Sequence, residues 1–374
     1  MITFGARAAA LAFSVLALMP ASQAATSAVG KPVVEVAFVL DTTGSMGPLI
    51  EGAKRKIWSI ATTIIDENPG AEIRMGLVAY RDIGDEYVTK TFPLTTDIQD
   101  LYANLLELRA QGGGDWPESV NEALDAGVTK LSWTQGEEIS RILFLVGDAP
   151  PHMDYKQDTK YPDVLRTARE RGILVNAVQA GGARDTERVW RNIAQMGAGR
   201  YIPIPQDGGH IVMIETPYDV EIIELQNEIN GTVIPYGPHK QRSSVEQKVR
   251  QSSAAPAPVA AEMAGYMSRN AAKSAGAAIT GSGDLVADVK AGRQSLGTMK
   301  DEDMPDSLRK LTTEQRAAMI DQQMQKRGKL NERMAELVKK RDAFVIEQAK
   351  KAPQRTNDSF DQVVAETLKT QMKR

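Results

Sequence analysis

The chain has 374 residues, 42% hydrophobic and 25% charged, with a formal net charge of -3, enough for one or two domains with packed cores. It holds no cysteine, which excludes disulfides, thiol nucleophiles, zinc-thiolate sites and iron-sulfur clusters. The near-balanced charge offers no broad basic field for nucleic acid, and the histidines His152, His210 and His239 are too scattered to announce a histidine metal cluster.

Arg7 precedes an apolar stretch over residues 8–19, followed by Pro20 and Ala21-Ser22-Gln23-Ala24. This is the layout of a cleavable secretory signal, residues 1–24. The stretch falls short of the roughly 20 apolar residues that span a bilayer. No later segment is apolar for that length, and there is no cysteine to carry a lipid. The expectation is an exported protein, in the periplasm or extracellular, with no membrane span after cleavage.

Residues 33–40 form an almost unbroken apolar run, as in a strand buried on both faces. Leu49, Ile50, Ala53, Ile57, Ile60, Ala61 and Ile64 recur at helical spacing until Asn68-Pro69-Gly70, and residues 73–80 supply a second strand, completing a βαβ unit. A short strand over 88–92 ending at Pro93 suits a sheet edge, and residues 98–108 and 119–131 read as helices. Strands at 141–146, 173–178 and near Tyr201 alternate with helices at 163–171 and 186–196, and a closing helix covers 220–229. Alternation of this kind predicts an α/β fold with a doubly wound, mainly parallel sheet flanked by helices.

The four tryptophans and most other aromatics precede residue 237, which places one domain over 25–240. Residues 241–300 are rich in Ala, Ser and Gly, with Ala254-Ala255-Pro256-Ala257-Pro258 among them, and read as a linker, largely disordered. A helical or coiled-coil-like region over 301–374 follows. Thr312 and Gln315 suit a capping box, and Pro353 marks the end of a long helix. Leu330, Met334, Leu337, Phe344 and Val345 approximate a heptad seam that Arg341 interrupts. Self-association through these helices, an antiparallel hairpin and an unpartnered solvated helix are all compatible with that pattern.

In a parallel sheet the ligand crevice lies at the carboxyl ends of the strands. The first strand runs into Asp41-Thr42-Thr43-Gly44-Ser45, where one carboxylate and two hydroxyls at alternating positions can converge, and the fourth runs into Gly147-Asp148. Between them lies Gly112-Gly113-Gly114-Asp115-Trp116-Pro117-Glu118, in which Asp115 suits either a third acidic ligand or a helix N-cap. Hard oxygens of this kind suit Mg²⁺, Mn²⁺ or Ca²⁺. His152 is expected to be an exposed loop histidine, and Arg81 with Asp82 a surface ion pair.

These motifs resemble the von Willebrand factor type A domain with its metal-ion-dependent adhesion site. The family's Asp-x-Ser-x-Ser is matched by Asp41-x-Thr43-x-Ser45, with Thr for the first Ser, and the Gly-Gly-Gly-Asp-x-Pro-Glu turn is similar to that of a subset of these domains. The resemblance covers about residues 33–236. It implies that Thr43 and Ser45 coordinate a cation, Mg²⁺ foremost, that Asp41 and Asp148 act directly or through water, and that Asp115 stands where most members have a threonine. It further implies a noncatalytic, metal-dependent module of the cell envelope that binds a protein partner. Three acids around one metal would weaken its pull on a partner's carboxylate, so an envelope scaffold with a purely structural metal is an alternative. The other is a Mg²⁺-dependent phosphotransferase of the haloacid dehalogenase type using Asp41 as nucleophile, against which stands Thr43 where soluble phosphatases of that type place a second Asp.

Overall fold

The apolar run that opens the domain becomes β1 (Val33–Asp41), which lies near the middle of a six-stranded sheet of order β3-β2-β1-β4-β5-β6. The structure is a computed structural model and describes residues 32–136, 138–209, 213–273, 280–351 and 359–372. The signal-like segment, His210 and Pro353 lie outside them. β1 pairs in parallel with β2 (Glu72–Tyr80) on one side and β4 (Ile139–Gly147) on the other. β5 (Ile173–Ala180) and β6 (Ala198–Ile204) continue the sheet in parallel, and β3 (Thr89–Thr95) closes the other edge antiparallel to β2. The strand expected to stop at Pro93 runs on to Thr95. An edge strand tolerates the missing N–H, and the register shifts opposite Met75 and Leu77.

Alternate residues of β1 serve two cores, which explains why the run has no polar gaps. Val34, Val36, Phe38 and Leu40 pack toward α1 (Gly47–Glu67) and α2 (Ile98–Glu107). Ala37 and Val39 pack toward α3 (Val120–Asp125), α4 (Tyr161–Glu170) and α5 (Arg184–Met196). The sheet is therefore doubly wound, as the sequence predicts. After α3 the chain passes through a π-helical turn, Ala126–Lys130, where a Cβ on Gly127 would come within 2.6 Å of Val39.

The remaining helices are α6 (Asp219–Asn230), α7 (His239–Ala254), α8 (Ala257–Lys273), α9 (Leu285–Lys290), α10 (Asp306–Arg309), α11 (Thr313–Lys351) and α12 (Phe360–Gln371). The stretch 241–300, expected as a largely disordered linker, thus carries α7, α8 and α9. Its alanines are strong helix formers, and in α8 they bring the backbone close to its neighbours. Ala261 and Ala264 pack with Ile222, Leu225 and Ile229 of α6, while Val259, Met263 and Tyr266 join the core under α1. Tyr266 lies 5.5 Å from Trp58, ring to ring.

The seam on α11 is filled within the chain. Met334, Leu337 and Val338 meet α6 and α8, and Arg341, expected to interrupt the seam, is buried and pairs with Asp219 of α6 at 2.9 Å. The capping box forms as expected, with Thr312 N–H donating to Gln315 Oε1 at 2.9 Å and Gln315 N–H to Thr312 Oγ1 at 3.3 Å. The boundary set near residue 240 does not separate two packed bodies. α12 returns to the first domain, where Phe360 meets Phe38 and Gln371 exchanges amide hydrogen bonds of 2.8 and 2.9 Å with Asn176 of β5.

Candidate metal centre

The carboxyl ends of β1, β2 and β4 adjoin, and each is followed by an acid. Asp41 ends β1 opposite Tyr80 of β2, Asp82 lies just past β2, and Asp148 follows β4. Tight stitching holds the loops between them. Thr42 N–H and Oγ1 both donate to Tyr80 O, Gln111 N–H donates to Thr42 O, and Gly44 N–H donates to Gly112 O at 3.1 Å. Gly112 and Gly113 adopt φ of 78° and 81°, conformations that favour glycine. Side chains there would also collide, since a Cβ on Gly112 would fall 2.2 Å from Asp85 and one on Gly113 2.9 Å from Glu118. Acids crowd this turn.

Asp41 is wholly buried. Its Oδ1 accepts from Thr43 N–H at 2.8 Å and from Thr43 Oγ1 at 2.7 Å, and Thr43 Oγ1 lies 3.4 Å from Ser45 Oγ. Because the Thr43 hydroxyl spends its proton on Asp41, its lone pairs are free for a cation. Ser45 is exposed and opens the group to solvent. Asp148 is buried and accepts from Gln206 Nε2 at 2.7 Å. Asp148 acts electrostatically on Asp41, so Asp41, Thr43, Ser45 and Asp148 lie near one another.

Asp115 falls elsewhere. Its side chain is 63% exposed, with Oδ2 3.5 Å from His152 Nε2. The acid that the turn directs toward Asp41 is Glu118, which is 4% exposed and interacts electrostatically with Asp41, Asp82, Asp85 and Asp148. Its backbone is pinned to the loop after β4: Glu118 N–H donates to Pro150 O, and Glu118 O accepts from His152 N–H.

Burial pushes the Asp41 carboxyl up to about 7, against the hydrogen bonds from Thr43 and with further help from Asp148. Burial, then the charges of Asp41, Asp82, Asp85 and Asp148, push Glu118 up to about 9. Tyr80 is raised as well, by burial first and by Asp41 next. Asp41 Oδ2, Glu118 Oε2 and the Tyr80 hydroxyl are all buried without a hydrogen bond of normal geometry, and the neighbour nearest to serving Asp41 there is the Tyr80 hydroxyl, which lies close enough to act on its carboxyl. They crowd the glycine that ends β4: a Cβ on Gly147 would lie 2.4 Å from the Tyr80 oxygen and 3.1 Å from Asp41 Oδ2. Buried acids with idle oxygens are costly unless protonated or matched by a cation. The donor set of carboxylates and hydroxyls therefore fits a hard divalent ion.

Three residues to which the sequence assigns no part in the site, Glu118, Asp82 and His152, belong to this edge. Glu118 sat in the quoted motif, one place after Pro117. Asp82, expected on the surface, is buried and accepts from Ser119 Oγ at 2.7 Å and Tyr155 Oη at 2.8 Å. It obeys the rule that singled out Asp41 and Asp148, an acid just past a buried strand. Arg81, its expected partner, pairs instead with Glu86 at 3.4 Å. His152, expected to be exposed, is buried and stacks on Tyr155 with ring centroids 3.9 Å apart.

Comparison with known proteins bears on residues 35–214, which match the family model of the von Willebrand factor A domain. A putative ariadne-like RING finger protein of Acanthamoeba polyphaga mimivirus is 34% identical over 124 residues, covering 32% of this chain and 11% of that protein. An alpha-protein kinase of Dictyostelium discoideum is 28% identical over 120 residues, 32% of this chain and 19% of the kinase. The von Willebrand factor A domain-containing protein 7 of Rattus norvegicus is 36% identical over 97 residues, 25% and 10% of the two chains. The chain thus spans no more than about a fifth of these relatives' length. Among solved structures, proximal thread matrix protein 1 of the mussel byssus aligns with a TM-score of 0.35 at 14% identity, over 47% of this chain and 43% of that one. The match of residues 35–214 to the von Willebrand factor A domain model, the identity to the rat protein that carries that name and the mostly parallel six-stranded sheet are consistent with one another.

Proposed function

We propose that this chain is a noncatalytic protein-binding module whose contact is made through a divalent cation at the carboxyl edge of the sheet. The cation is Mg²⁺ foremost, with Mn²⁺ or Ca²⁺ as substitutes, held by Asp41, Thr43, Ser45 and Asp148, with Glu118 in the part assigned by resemblance to Asp115. The observation that carries the reading is the pair of buried, unpartnered carboxylate oxygens, Asp41 Oδ2 and Glu118 Oε2, beside hydroxyls that retain free lone pairs. When bound, the ion would neutralise the clustered acids and offer an outward position beside exposed Ser45.

With three acids near it, such an ion favours a neutral oxygen over a partner's carboxylate. Apolar contact would come from Ile83, Trp116 and Met153, large side chains about half exposed along the same edge. Complete burial of Asp41 weighs against its service as a phosphoryl acceptor, which needs access to substrate, and leaves a purely structural metal as the second reading. Export to the periplasm or the medium remains our reading of the first 24 residues.

The test is thermal unfolding of metal-stripped protein titrated with Mg²⁺, Mn²⁺ and Ca²⁺. An ion that binds the native state alone adds about 2.7 kcal/mol at a hundredfold excess over its Kd. The gain should vanish in Asp41→Ala. An equal gain in that variant, or none in the wild type, would refute the assignment.

A further inference from the structure

Beside the oxygen-lined group lies a second constellation of different chemistry. His152 Nε2 is buried without a hydrogen-bond partner, on a side chain only 7% exposed. It faces Asp115 Oδ2 at 3.5 Å and Asp82 Oδ2 at 3.6 Å, and one ligand atom from each of the three residues lies within 4.8 Å of the others. We propose that Asp82, Asp115 and His152 form a second cation site, suited by its imidazole to Zn²⁺ or another divalent transition metal.

The distances favour a shared ion over direct hydrogen bonds. N–H···O bonds cluster near 2.9 Å and fade beyond about 3.2 Å. Two ligands each about 2.1 Å from one tetrahedral zinc stand roughly 3.4 Å apart, close to the separations found. The surroundings also suit a ligand histidine. Nδ1 lies 2.9 Å from Asp154 Oδ1, so a proton held there is donated to a carboxylate and leaves the Nε2 lone pair facing the two acids, the arrangement that orients metal-bound imidazoles. Tyr155 fixes the rest: its ring stacks on His152 at an interplanar angle of 8°, and its hydroxyl donates to Asp82 Oδ2 at 2.8 Å. Ser119 Oγ holds the other Asp82 oxygen. Asp115 is the exposed member, so the site opens outward. Nitrogen selects against Mg²⁺ and Ca²⁺ and toward zinc, where the all-oxygen group does the reverse.

The competing account is a protonated His152 ion-paired with Asp82, Asp115 and Asp154 that needs no metal. The two separate in metal-stripped full-length protein carrying Asp41→Ala, which silences the first site. Zn²⁺ affinity is read by competition with a chromophoric chelator. Asp41→Ala should still take one equivalent of Zn²⁺, and adding Asp115→Asn or His152→Ala should weaken it more than tenfold. Failure of Asp41→Ala to bind Zn²⁺, or unchanged affinity in both double variants, would overturn the proposal. Should His152→Ala not fold, the exposed Asp115→Asn carries the test alone, and a visible Co²⁺ ligand-field band lost in that variant gives a second readout. Mg²⁺ stabilisation retained in single Asp115→Asn but lost in Asp41→Ala would keep the two sites' fates distinct.

Discussion

Two regions of this molecule bury charge, and they treat it in opposite ways. In the helical region the buried cations meet their acids. Arg327 of α11 reaches Asp284 at 2.6 Å and donates to Thr232 as well, and Arg341 meets Asp219. At the carboxyl edge of the sheet, Asp41, Glu118 and Asp148 face one another, and two of their oxygens stay idle. Paired burial is a fastening between elements. Unpaired burial brings no such fastening, and the proposed cation site rests on it.

The largest effect should come from breaking a fastening. Arg327→Ala would leave Asp284, which is wholly buried, without its guanidinium, at a cost of about 3–5 kcal/mol. Urea unfolding should show that loss with and without Mg²⁺. Next comes pH. Asp41 rises from 3.8 to about 7 in the folded chain, so between those values the native state holds a proton that the unfolded state has released. Metal-free stability must then fall as pH climbs through that window, with Asp41 contributing about 4 kcal/mol at most. Glu118, raised from 4.5 to about 9, pulls the same way and extends the fall to higher pH. Saturating Mg²⁺ should flatten the profile. A metal-free profile that rises from pH 4 to 7 would contradict the unpaired burial.

A smaller effect of unusual sign follows for Asp41→Asn. The amide keeps an acceptor for Thr43 and removes a charge that burial disfavours, so without metal it should stabilise by about 1–3 kcal/mol, while abolishing the Mg²⁺ response. A loss of stability in EDTA would mean that Asp41 is fastened by something other than a cation.

The sheet was legible because its signals are periodic. The apolar run of β1 follows from burial on both faces and the helical spacing in α1 from burial on one, and both are read from residue order. Asp41, Thr43, Ser45 and Asp148 were legible because strand ends are topological positions. The burial of Glu118 and the exposure of Asp115 were not, since the chain's direction through Gly112 and Gly113, both at positive φ, is not readable from a run of three glycines. His152 was misread because the Tyr155 ring that covers it comes from a loop without periodicity. α8 was misread because alanine serves both close-packed helices and loose linkers, and only the facing surfaces of α1, α6 and α11 distinguish them.

The smallest prediction tests whether the helical region is truly indifferent to the metal edge. The Thr312 and Gln315 pair at the start of α11 is exposed and local, and its hydrogen bonds serve N–H groups that the helix leaves open. Thr312→Ala should cost about 1 kcal/mol, visible as a lower urea midpoint with the same slope. The Mg²⁺-induced gain and the fall in stability from pH 4 to 7 should both persist undiminished, since Thr312 touches neither Asp41 nor its neighbours. A changed Mg²⁺ gain would show that α11, packed on α6 and α8 and through α8 on α1, transmits strain to the loop between β1 and α1, and the two regions would have to be treated as one coupled system.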